Sequence, residues 1–378
     1  MLRARLWVGG LIGLVAVGAF AGRPTVGSTG EFDPILSRIN LPPGFEISVF
    51  ATTPKPRSLV VAAPLNMVFV GSYQGTIHSL VDSNADGVAD EILRRADGLN
   101  TPNGIAYFDG KLFVALTDRV AFWPIPAEFG ATLPITALID IKSDLPREFA
   151  HGRRYAAFGP DQKLYVAIGA PCNICEPKGL EGTIIRMDPD GSDVEVVARG
   201  VRNSVGFDWH PETGVLFFTD NGADGMGDDI PADELNMVTS VGQHFGFPFL
   251  GGASVKLTGF EDAQAPADAV APVIEFQAHT ANLGIHFYRG AMFPSEYRND
   301  AFVAQHGSWN RTEAVGYRIM RIRFDDDGNA VSKEVFADGW LEGQFAVGRP
   351  VSITELPDGS LLVSDDFANV IYRISYSD

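Results

Sequence analysis

The chain has 378 residues, including 41 glycines and 24 prolines, and its formal net charge at pH 7 is -18. This charge disfavours nucleic acid as a partner, because phosphate binding requires a basic surface, and it also disfavours an anionic membrane surface. The length is enough for two ordinary domains or for one large domain. The many glycines and prolines are typical of a fold with frequent tight turns.

The N-terminal residues have the pattern of a secretory signal. Two arginines precede a short apolar run at 11–20, and Ala19-Phe20-Ala21 provides a small-x-small cleavage sequence. We therefore predict a signal peptide at 1–21, a linker at 22–40 and a protein that is periplasmic or secreted. The alternative is an uncleaved N-terminal anchor. No later stretch is long and apolar enough to cross a bilayer, so we expect no membrane insertion after the signal is removed.

A short apolar strand, usually preceded by a turn that contains glycine, recurs six times along the rest of the chain. The copies lie at 66–70, 110–114, 163–166, 214–218, 301–303 and 359–363. They are spaced by roughly 44 to 59 residues, a period typical of propeller blades. One longer interval contains 241–278, which we interpret as an inserted loop region. The repeats predict an all-β fold, a single six-bladed β-propeller over 41–378.

The last copy provides only three strands before the chain ends. The segment at 45–50 alternates apolar and polar residues, so we expect it to supply the missing outer strand and to close the ring. A β-sandwich or two barrels are the alternatives, but neither explains six copies of one unit.

The two cysteines, Cys172 and Cys175, form a C-x-x-C pair. In an oxidising compartment such a pair favours a disulfide that pins a loop, although a reduced pair remains open. Haem attachment would require His at 176, where the chain has Glu176, and zinc would require further ligands.

Polar residues just before predicted inner strands are the candidates for a site, because such loops converge at one end of a propeller. His151 suits a general base, and its alternative is an ordinary surface histidine. Arg202 and Asn203 offer donors to a carboxylate or a quinone oxygen, or else cap a turn. Arg311 and Arg349 occupy analogous loop ends of later blades.

Two acidic segments suit calcium, which prefers oxygen ligands. The first contains Asn221, Gly222 and Ala223 and is followed by further acidic residues; the alternative is a solvated acidic loop. The second begins D-x-N-x-D-G with Asp82, Asn84 and Asp86, but its twelfth position is leucine, which disfavours an EF-hand. This second segment is either a small calcium turn or an ion-free hairpin.

Several of these pieces together resemble the glucose/sorbosone dehydrogenase family, and most closely its sorbosone branch. The resemblance rests on His151 with the Phe-Gly-Pro-Asp at 158–161, on 169–173, 200–203 and 284–290, and on the His-Gly-Ser-Trp-Asn-Arg at 306–311. It implies a six-bladed propeller that binds pyrroloquinoline quinone and calcium and oxidises sugar hydroxyls or aldehyde hydrates.

The same resemblance implies roles for individual residues. His151 corresponds to the catalytic base, and the backbone carbonyls of Gly222 and Ala223 correspond to ligands of the cofactor calcium. The residues that correspond to quinone contacts are Arg202, Asn203, Asn221, Arg311 and Arg349. Ala150 stands where sugar-oxidising relatives have an acidic residue beside the base, so we expect the base to be held differently here.

The leading hypothesis is therefore an exported quinone-dependent dehydrogenase that acts on a sugar or a sugar-derived aldehyde and passes electrons to an external acceptor. A calcium-dependent lactonase on a similar propeller is one alternative. A ligand-binding propeller without catalysis is the other.

Overall fold

The computed structural model describes residues 29–126, 134–135, 137–147 and 150–377. The predicted signal peptide at 1–21 lies outside these residues. Within them, no helix is both long enough and apolar enough to span a membrane. The helices of this part of the chain have three or four residues each: Thr29–Glu31, Asp33–Leu36, Ala63–Leu65 and Ser295–Tyr297.

Six antiparallel sheets of four main strands each, called blades 1 to 6 here, make up most of the described chain. In chain order, blades 1 to 3 comprise Pro56–Ala62, Met67–Ser72, Ile77–Val81 and Glu91–Ala96; Gly104–Phe108, Lys111–Ala115, Val120–Pro124 and Ile139–Lys142; and Ala156–Phe158, Leu164–Ile168, Thr183–Met187 and Glu195–Arg199. Blades 4 to 6 comprise Phe207–Trp209, Leu216–Asp220, Asp233–Val238 and Ile274–Phe276; Asn282–Phe287, Ala301–Gln305, Arg318–Phe324 and Ala330–Ala337; and Pro350–Glu355, Leu361–Asp365, Val370–Tyr376 and Phe45–Thr52. The prediction of an all-β six-bladed propeller is confirmed.

The N-terminal strand Phe45–Thr52 closes the ring, as predicted. It pairs antiparallel with Val370–Tyr376, so that Phe45 lies opposite Tyr376. The ring of Phe45 packs edge-on against four aromatic rings with centroid distances of 4.7 to 5.1 Å: Phe293, Tyr297, Phe336 and Tyr376. Blade 6 therefore joins the two ends of the chain through main-chain pairing and a shared aromatic core.

The long interval at 241–278 is more than an inserted loop. It ends in Ile274–Phe276, which pairs with Asp233–Val238 and is the outer strand of blade 4. Before that strand, Gln243–His244 adds a short parallel strand to blade 3, and a small hairpin joins Leu250–Gly251 to Val255–Lys256. The interval is therefore an excursion between the third and fourth strands of one blade.

The first strands of the blades contact one another around the propeller axis. They approach so closely that a Cβ at Gly206 would lie 2.2 Å from the Leu283 carbonyl oxygen. A Cβ at Gly284 would lie 2.7 Å from the Val351 oxygen. Val205, Leu283 and Val351 pack together at this point as a small apolar cluster. Val205 and Leu283 also line the cavity described next, so this cluster forms part of its floor.

Candidate functional site

A cavity of about 450 Å³ opens at one end of the propeller axis. Two kinds of loop form its wall: those that precede the first strand of a blade, and those that join the second strand to the third. The residues that the sequence predicted for the site and that line this cavity are His151, Arg202, Asn203, Asn221, Gly222 and Arg349. Loop positions far apart in the chain thus meet in one place.

His151 is held by its backbone and by one hydrogen bond. Its φ is 51°, and its Nδ1 lies 2.8 Å from the carbonyl oxygen of Ala170. Because a carbonyl oxygen can only accept, Nδ1 carries the proton and Nε2 has the free lone pair. A Cβ at Gly169 would lie 2.4 Å from the Cβ of His151, so the glycine allows the backbone to approach His151 closely. A main-chain carbonyl thus does the orienting that an acidic neighbour would otherwise do.

The protonation state of His151 also suits a base. Burial, followed by the positive charge of Arg202, lowers its pKa to about 4. The imidazole is therefore neutral at pH 7 and can accept a proton at Nε2.

Arg202 lines the cavity, but other groups already bind its guanidinium. Nε donates to the carbonyl oxygen of Asn173 at 2.9 Å and Nη1 to that of Asn221 at 3.1 Å. Nη2 donates to Asn173 Oδ1 at 2.7 Å and to Asp224 Oδ2 at 2.9 Å. A disulfide joins Cys172 to Cys175 and encloses Asn173. Arg202 therefore ties the disulfide loop of blade 3 to the acidic loop of blade 4.

The acidic loop presents backbone groups to the cavity. The Gly222 amide donates to Asp233 Oδ1 at 2.7 Å, and Asp233 Oδ2 accepts from the Ala281 amide at 2.8 Å. No hydrogen bond from a described residue reaches the carbonyl oxygens of Gly222 or Ala223. Ala223 itself is buried behind the wall, packed with Phe247.

Asn203 and Asn221 are linked to each other beside this loop. The Asn221 side-chain Nδ2 donates to the Asn203 carbonyl oxygen at 2.9 Å, and the Asn203 amide donates to Asp220 Oδ1 at 2.6 Å. Oδ1 of Asn221 is buried, and nothing in the described part of the chain donates to it. It is an acceptor still available to a donor or a cation.

The wall carries an excess of positive charge in a chain whose net charge is -18. Its cations outnumber its carboxylates: Lys55, Arg57, Arg153, Arg202 and Arg349 against Asp224, Asp233 and Asp366. Arg202 and Arg57 form ion pairs with Asp224 and Asp366, each at 2.9 Å. The other three cations have no acidic partner within the described ranges.

These three unpaired cations are nevertheless positioned by neighbours. Arg349 donates from Nε to the His306 carbonyl oxygen at 2.9 Å. Nη2 of Arg153 donates to the Tyr73 hydroxyl at 2.7 Å. Lys55 Nζ lies 6.0 Å from the centroid of the Phe367 ring. Since no described carboxylate neutralises these three positive charges, they are available to a negatively charged ligand.

The sequence did not predict one network in the cavity. Asp366 accepts from Arg57 at 2.9 Å and from His306 Nε2 at 2.8 Å. Burial lowers the pKa of His306 to about 4. Although burial alone would raise the pKa of Asp366, His306 and Arg57 hold it far below its usual range. His279, Tyr73 and Lys55 line the cavity as well and were also missed.

Five predicted site residues do not line this cavity: Ala223, which is buried behind its wall, and Arg311, Asp82, Asn84 and Asp86. Arg311 donates to backbone oxygens of its surroundings, including those of Asp228 and Glu313, and does not reach the cavity wall. Asp82, Asn84 and Asp86 lie together in the turn before the outer strand of blade 1, where the Gly87 amide donates to Asp82 Oδ2 at 2.9 Å. Among the described residues, no group of three or more His, Cys, Asp or Glu is arranged to hold a metal ion.

Known proteins share both sequence and fold with this chain. Residues 239–377 match the family model described as TrAA12-like. A protein of Borreliella burgdorferi, described as an uncharacterized protein, is 38% identical over 356 residues, which cover 90% of this chain and 92% of that protein.

Several solved structures have the same propeller at lower identity. The calcium structure of a Trichoderma reesei family AA12 enzyme has a TM-score of 0.76 at 18% identity and covers 90% of this chain and 97% of its own. The holo PQQ domain of pyranose dehydrogenase from Coprinopsis cinerea has a TM-score of 0.74 at 18% identity, covering 89% and 97%. The PQQ-bound aldose sugar dehydrogenase of Streptomyces coelicolor has a TM-score of 0.63 at 20% identity, covering 89% and 100%.

Proposed function

We propose that this chain, which belongs to the same family as the Borreliella burgdorferi protein, is a sugar oxidoreductase. The proposal rests on its resemblance to the glucose/sorbosone dehydrogenases and on the positive charge of its cavity. The neighbouring structures support the resemblance to that dehydrogenase family but do not single out its sorbosone branch. The proposed cofactor is pyrroloquinoline quinone (PQQ) with calcium, and the proposed substrate is a sugar or a sugar-derived aldehyde.

The observation that carries the proposal is the set of three unpaired cations in the cavity. PQQ has three carboxylates, and Lys55, Arg153 and Arg349 provide three positive charges without acidic partners among the described residues. Positively charged groups that are fixed by neighbours bind carboxylates through charge-assisted hydrogen bonds. The side chain of Asn203 faces the same space and adds a donor and an acceptor.

Three oxygen atoms of the acidic loop fit the ligand preference of calcium. The backbone oxygens of Gly222 and Ala223 accept no hydrogen bond from a described residue, and Oδ1 of Asn221 also lacks a donor. Oxygen atoms of this kind are the ligands that calcium prefers. We assign Gly222 and Ala223 to the cofactor calcium on this basis.

The proposed chemistry at the residue level is proton removal. Nε2 of His151 accepts the proton of the substrate hydroxyl while Nδ1 stays bonded to Ala170, which keeps the ring in its reactive tautomer. When bound, PQQ with calcium as a Lewis acid would supply the acceptor for the hydride that leaves the carbon bearing that hydroxyl. Arg202 acts one step away, since it joins the loop whose Ala170 carbonyl accepts from His151 to the acidic loop of blade 4.

An export route fits this chemistry. The N-terminal sequence has the pattern of a secretory signal, and the Cys172–Cys175 disulfide is typical of an oxidising compartment. We propose that the protein works in the periplasm or outside the cell, where it passes its electrons to an external acceptor.

Reconstitution tests the proposal. Purified apoprotein is incubated with PQQ and calcium, and reduction of a redox dye is followed with a panel of aldoses, ketoses and sugar-derived aldehydes. We expect dye reduction with at least one sugar and none when PQQ is omitted. If no sugar reduces the dye in the loaded protein, the dehydrogenase assignment is wrong. Hydrolysis of a lactone panel in the same preparation would instead support a calcium-dependent lactonase.

Replacement of the proposed base separates catalysis from cofactor binding. We expect His151→Ala to lower kcat by at least about 100-fold, because general-base catalysis contributes factors of about 10² to 10⁴. PQQ affinity, measured by absorbance titration, should change little. If PQQ binding is lost to the same extent as turnover, then His151 is a structural residue. His210→Ala is the matched control, since that histidine lies outside the cavity.

A further inference from the structure

Three aromatic side chains lie exposed around the mouth of the cavity. Trp309 is 75% exposed, Phe367 is 48% exposed and Tyr73 is 38% exposed, and all three line the cavity. Each lies in the loop between the second and third strands of its blade. Those blades are 5, 6 and 1, which are consecutive in the ring, so the rings form an arc. We call these three residues the aromatic arc.

The opposite half of the mouth has a different composition. The equivalent loops of blades 2, 3 and 4, at 116–119, 169–182 and 221–232, contain no aromatic residue. They carry the disulfide loop and the backbone groups of Gly222 instead. His151 precedes the first strand of blade 3 and belongs to this non-aromatic half. The proposed base and the proposed calcium-binding loop therefore lie in one half of the mouth, and the three exposed aromatic rings lie in the other.

The backbone on either side of the exposed rings is fixed. Next to Trp309, the Ser308 amide donates to the Val315 oxygen at 2.9 Å, and Asn310 Nδ2 donates to Asp224 Oδ1 at 2.9 Å. The Phe367 amide donates to Asp365 Oδ1 at 2.9 Å. An indole left in water on an anchored backbone forgoes the free energy of burial, which a ligand recovers when it covers the ring.

The setting of the rings indicates the class of ligand. Each ring has a polar side chain beside it: Lys55 lies over Phe367, Arg153 stacks on Tyr73 at 4.3 Å, and Asn310 follows Trp309 in the chain and also lines the cavity. A protein partner would favour one continuous apolar patch. Alternating flat apolar faces and hydrogen-bonding groups instead match sugar rings, which have apolar C–H faces and hydroxyl edges.

We propose that the aromatic arc binds sugar rings beyond the one that reacts, so that oligosaccharides are preferred to monosaccharides. The inference rests on the proposed function, because it assumes that a sugar occupies the cavity. It adds that Trp309, as the most exposed ring, determines the preference for length.

Calorimetric titration of the apoprotein tests the inference without any turnover. Glucose, mannose and xylose are compared with their β-1,4-linked trimers. We expect at least one trimer to bind about tenfold more tightly than its monomer, a difference of about 1.4 kcal/mol, because its additional rings stack on the aromatic arc. In Trp309→Ala, the ratio of trimer to monomer affinity should fall close to one. In Trp309→Phe, it should lie between that value and the wild-type ratio.

Phe345→Ala is the matched control. Phe345 is 77% exposed and lies in a hairpin that touches the Trp309 loop, where Gln344 accepts from the Ala314 amide, but it does not line the cavity. The ratio of trimer to monomer affinity should be the same in Phe345→Ala as in the wild type. A second readout is the emission of Trp309, because the other described tryptophans, Trp123, Trp209 and Trp340, are buried. Trimer binding should shift that emission to the blue.

The outcomes separate this inference from the proposed function. The inference is overturned if no trimer binds more tightly than its monomer, or if Trp309→Ala leaves the ratio unchanged. If trimers bind with the expected ratio but the loaded protein oxidises no sugar, the proposed function fails while the sugar site stands. If monosaccharides are oxidised but length has no effect on binding, only the inference fails.

Discussion

His151 shows how a main-chain contact can set the chemistry of a side chain. The Ala170 carbonyl fixes which ring nitrogen carries the proton, and burial beside Arg202 lowers the pKa of the imidazole to about 4. The sequence offered His151 as a candidate base or else an ordinary surface histidine, and the family resemblance implied its role as the base. The sequence could not identify the orienting group, because Ala170 is 19 residues away and contributes only backbone.

The lowered pKa predicts the pH dependence of the reaction. A base with a pKa of about 4 stays unprotonated down to about pH 5, whereas an ordinary histidine would become protonated near pH 6.5. We therefore expect kcat/KM of the reconstituted enzyme to be flat between about pH 5 and 8 and to fall only below about pH 5. An acidic limb centred between pH 6 and 7 would show that His151 titrates normally or is not the base.

Asn173 is predicted to act as a positioning residue. Its Oδ1 accepts from Arg202 Nη2 at 2.7 Å and from the Asp224 amide at 2.8 Å. Asn173→Ala leaves both donors short of a partner, so we expect PQQ affinity to fall about tenfold and stability to fall by about 1 to 3 kcal/mol. Asn173→Asp keeps the acceptor and should restore most of the affinity. Equal affinity in the wild type and the alanine variant, measured by absorbance titration, would contradict this role.

Blade 4 contains an unusual pair of strand residues. Asp220 and Glu234 lie directly opposite each other on neighbouring strands, and both are buried. Burial raises the pKa of Asp220 to about 6, and burial together with Asp220 raises the pKa of Glu234 to about 8. Like charges at opposite positions destabilise a sheet, so at neutral pH the pair keeps a proton.

The raised pKa of Glu234 determines the direction in which the free energy of unfolding changes with pH. The folded state holds a proton that the unfolded state releases above pH 4.5, so this residue contributes less stability as the pH rises towards 8. Glu234→Gln should therefore become more stable relative to the wild type between pH 6 and pH 9, as measured by urea unfolding. Exposed Glu46→Gln is the control and should show no such trend. A stability difference that is the same at both pH values would contradict the assignment.

At the level of secondary structure, the sequence predicts the strands of the blades better than it predicts the segments that connect them. Alternating apolar residues after glycine turns identified all six blades, because each blade repeats one local pattern. The outer strand Ile274–Phe276 escaped notice since it is short and follows a long excursion. Its place is fixed by pairing with Asp233–Val238, which no local pattern records.

For the whole molecule, ring closure brings together residues from both ends of the chain. Arg57 and Asp366 are 309 positions apart, yet they form an ion pair inside the cavity. No motif contains either residue, so this part of the site could be found only from the closed ring. By contrast, His151, Arg202 and Asn203 each precede a first strand, and the propeller alone predicts that they meet. The position of Arg311 depends on a loop whose path the repeat pattern does not determine.

Closure of the propeller ring also predicts that a side chain of the closing strand contributes strongly to the free energy of unfolding. Phe45 begins the closing strand, and its ring contacts four aromatic residues of blades 5 and 6 and the loops beside them. Phe45→Ala should lower the free energy of unfolding by about 3 to 5 kcal/mol, as for other buried aromatic residues. Exposed Phe345→Ala removes the same ring and should change it by less than about 0.5 kcal/mol. Similar losses in both variants, measured by denaturant unfolding, would mean that closure does not depend on this aromatic core.

The proposed cofactor site holds an anionic quinone through three cations that have no acidic partner among the described residues. Titration of PQQ into the apoprotein, in millimolar calcium and followed by absorbance, tests this role of the cations. We predict one site per chain in the wild type and an affinity at least about tenfold weaker in each of Lys55→Met, Arg153→Met and Arg349→Met, because each removes one charge-assisted contact. Absence of saturable binding, or equal affinity in the wild type and all three variants, would contradict the claim.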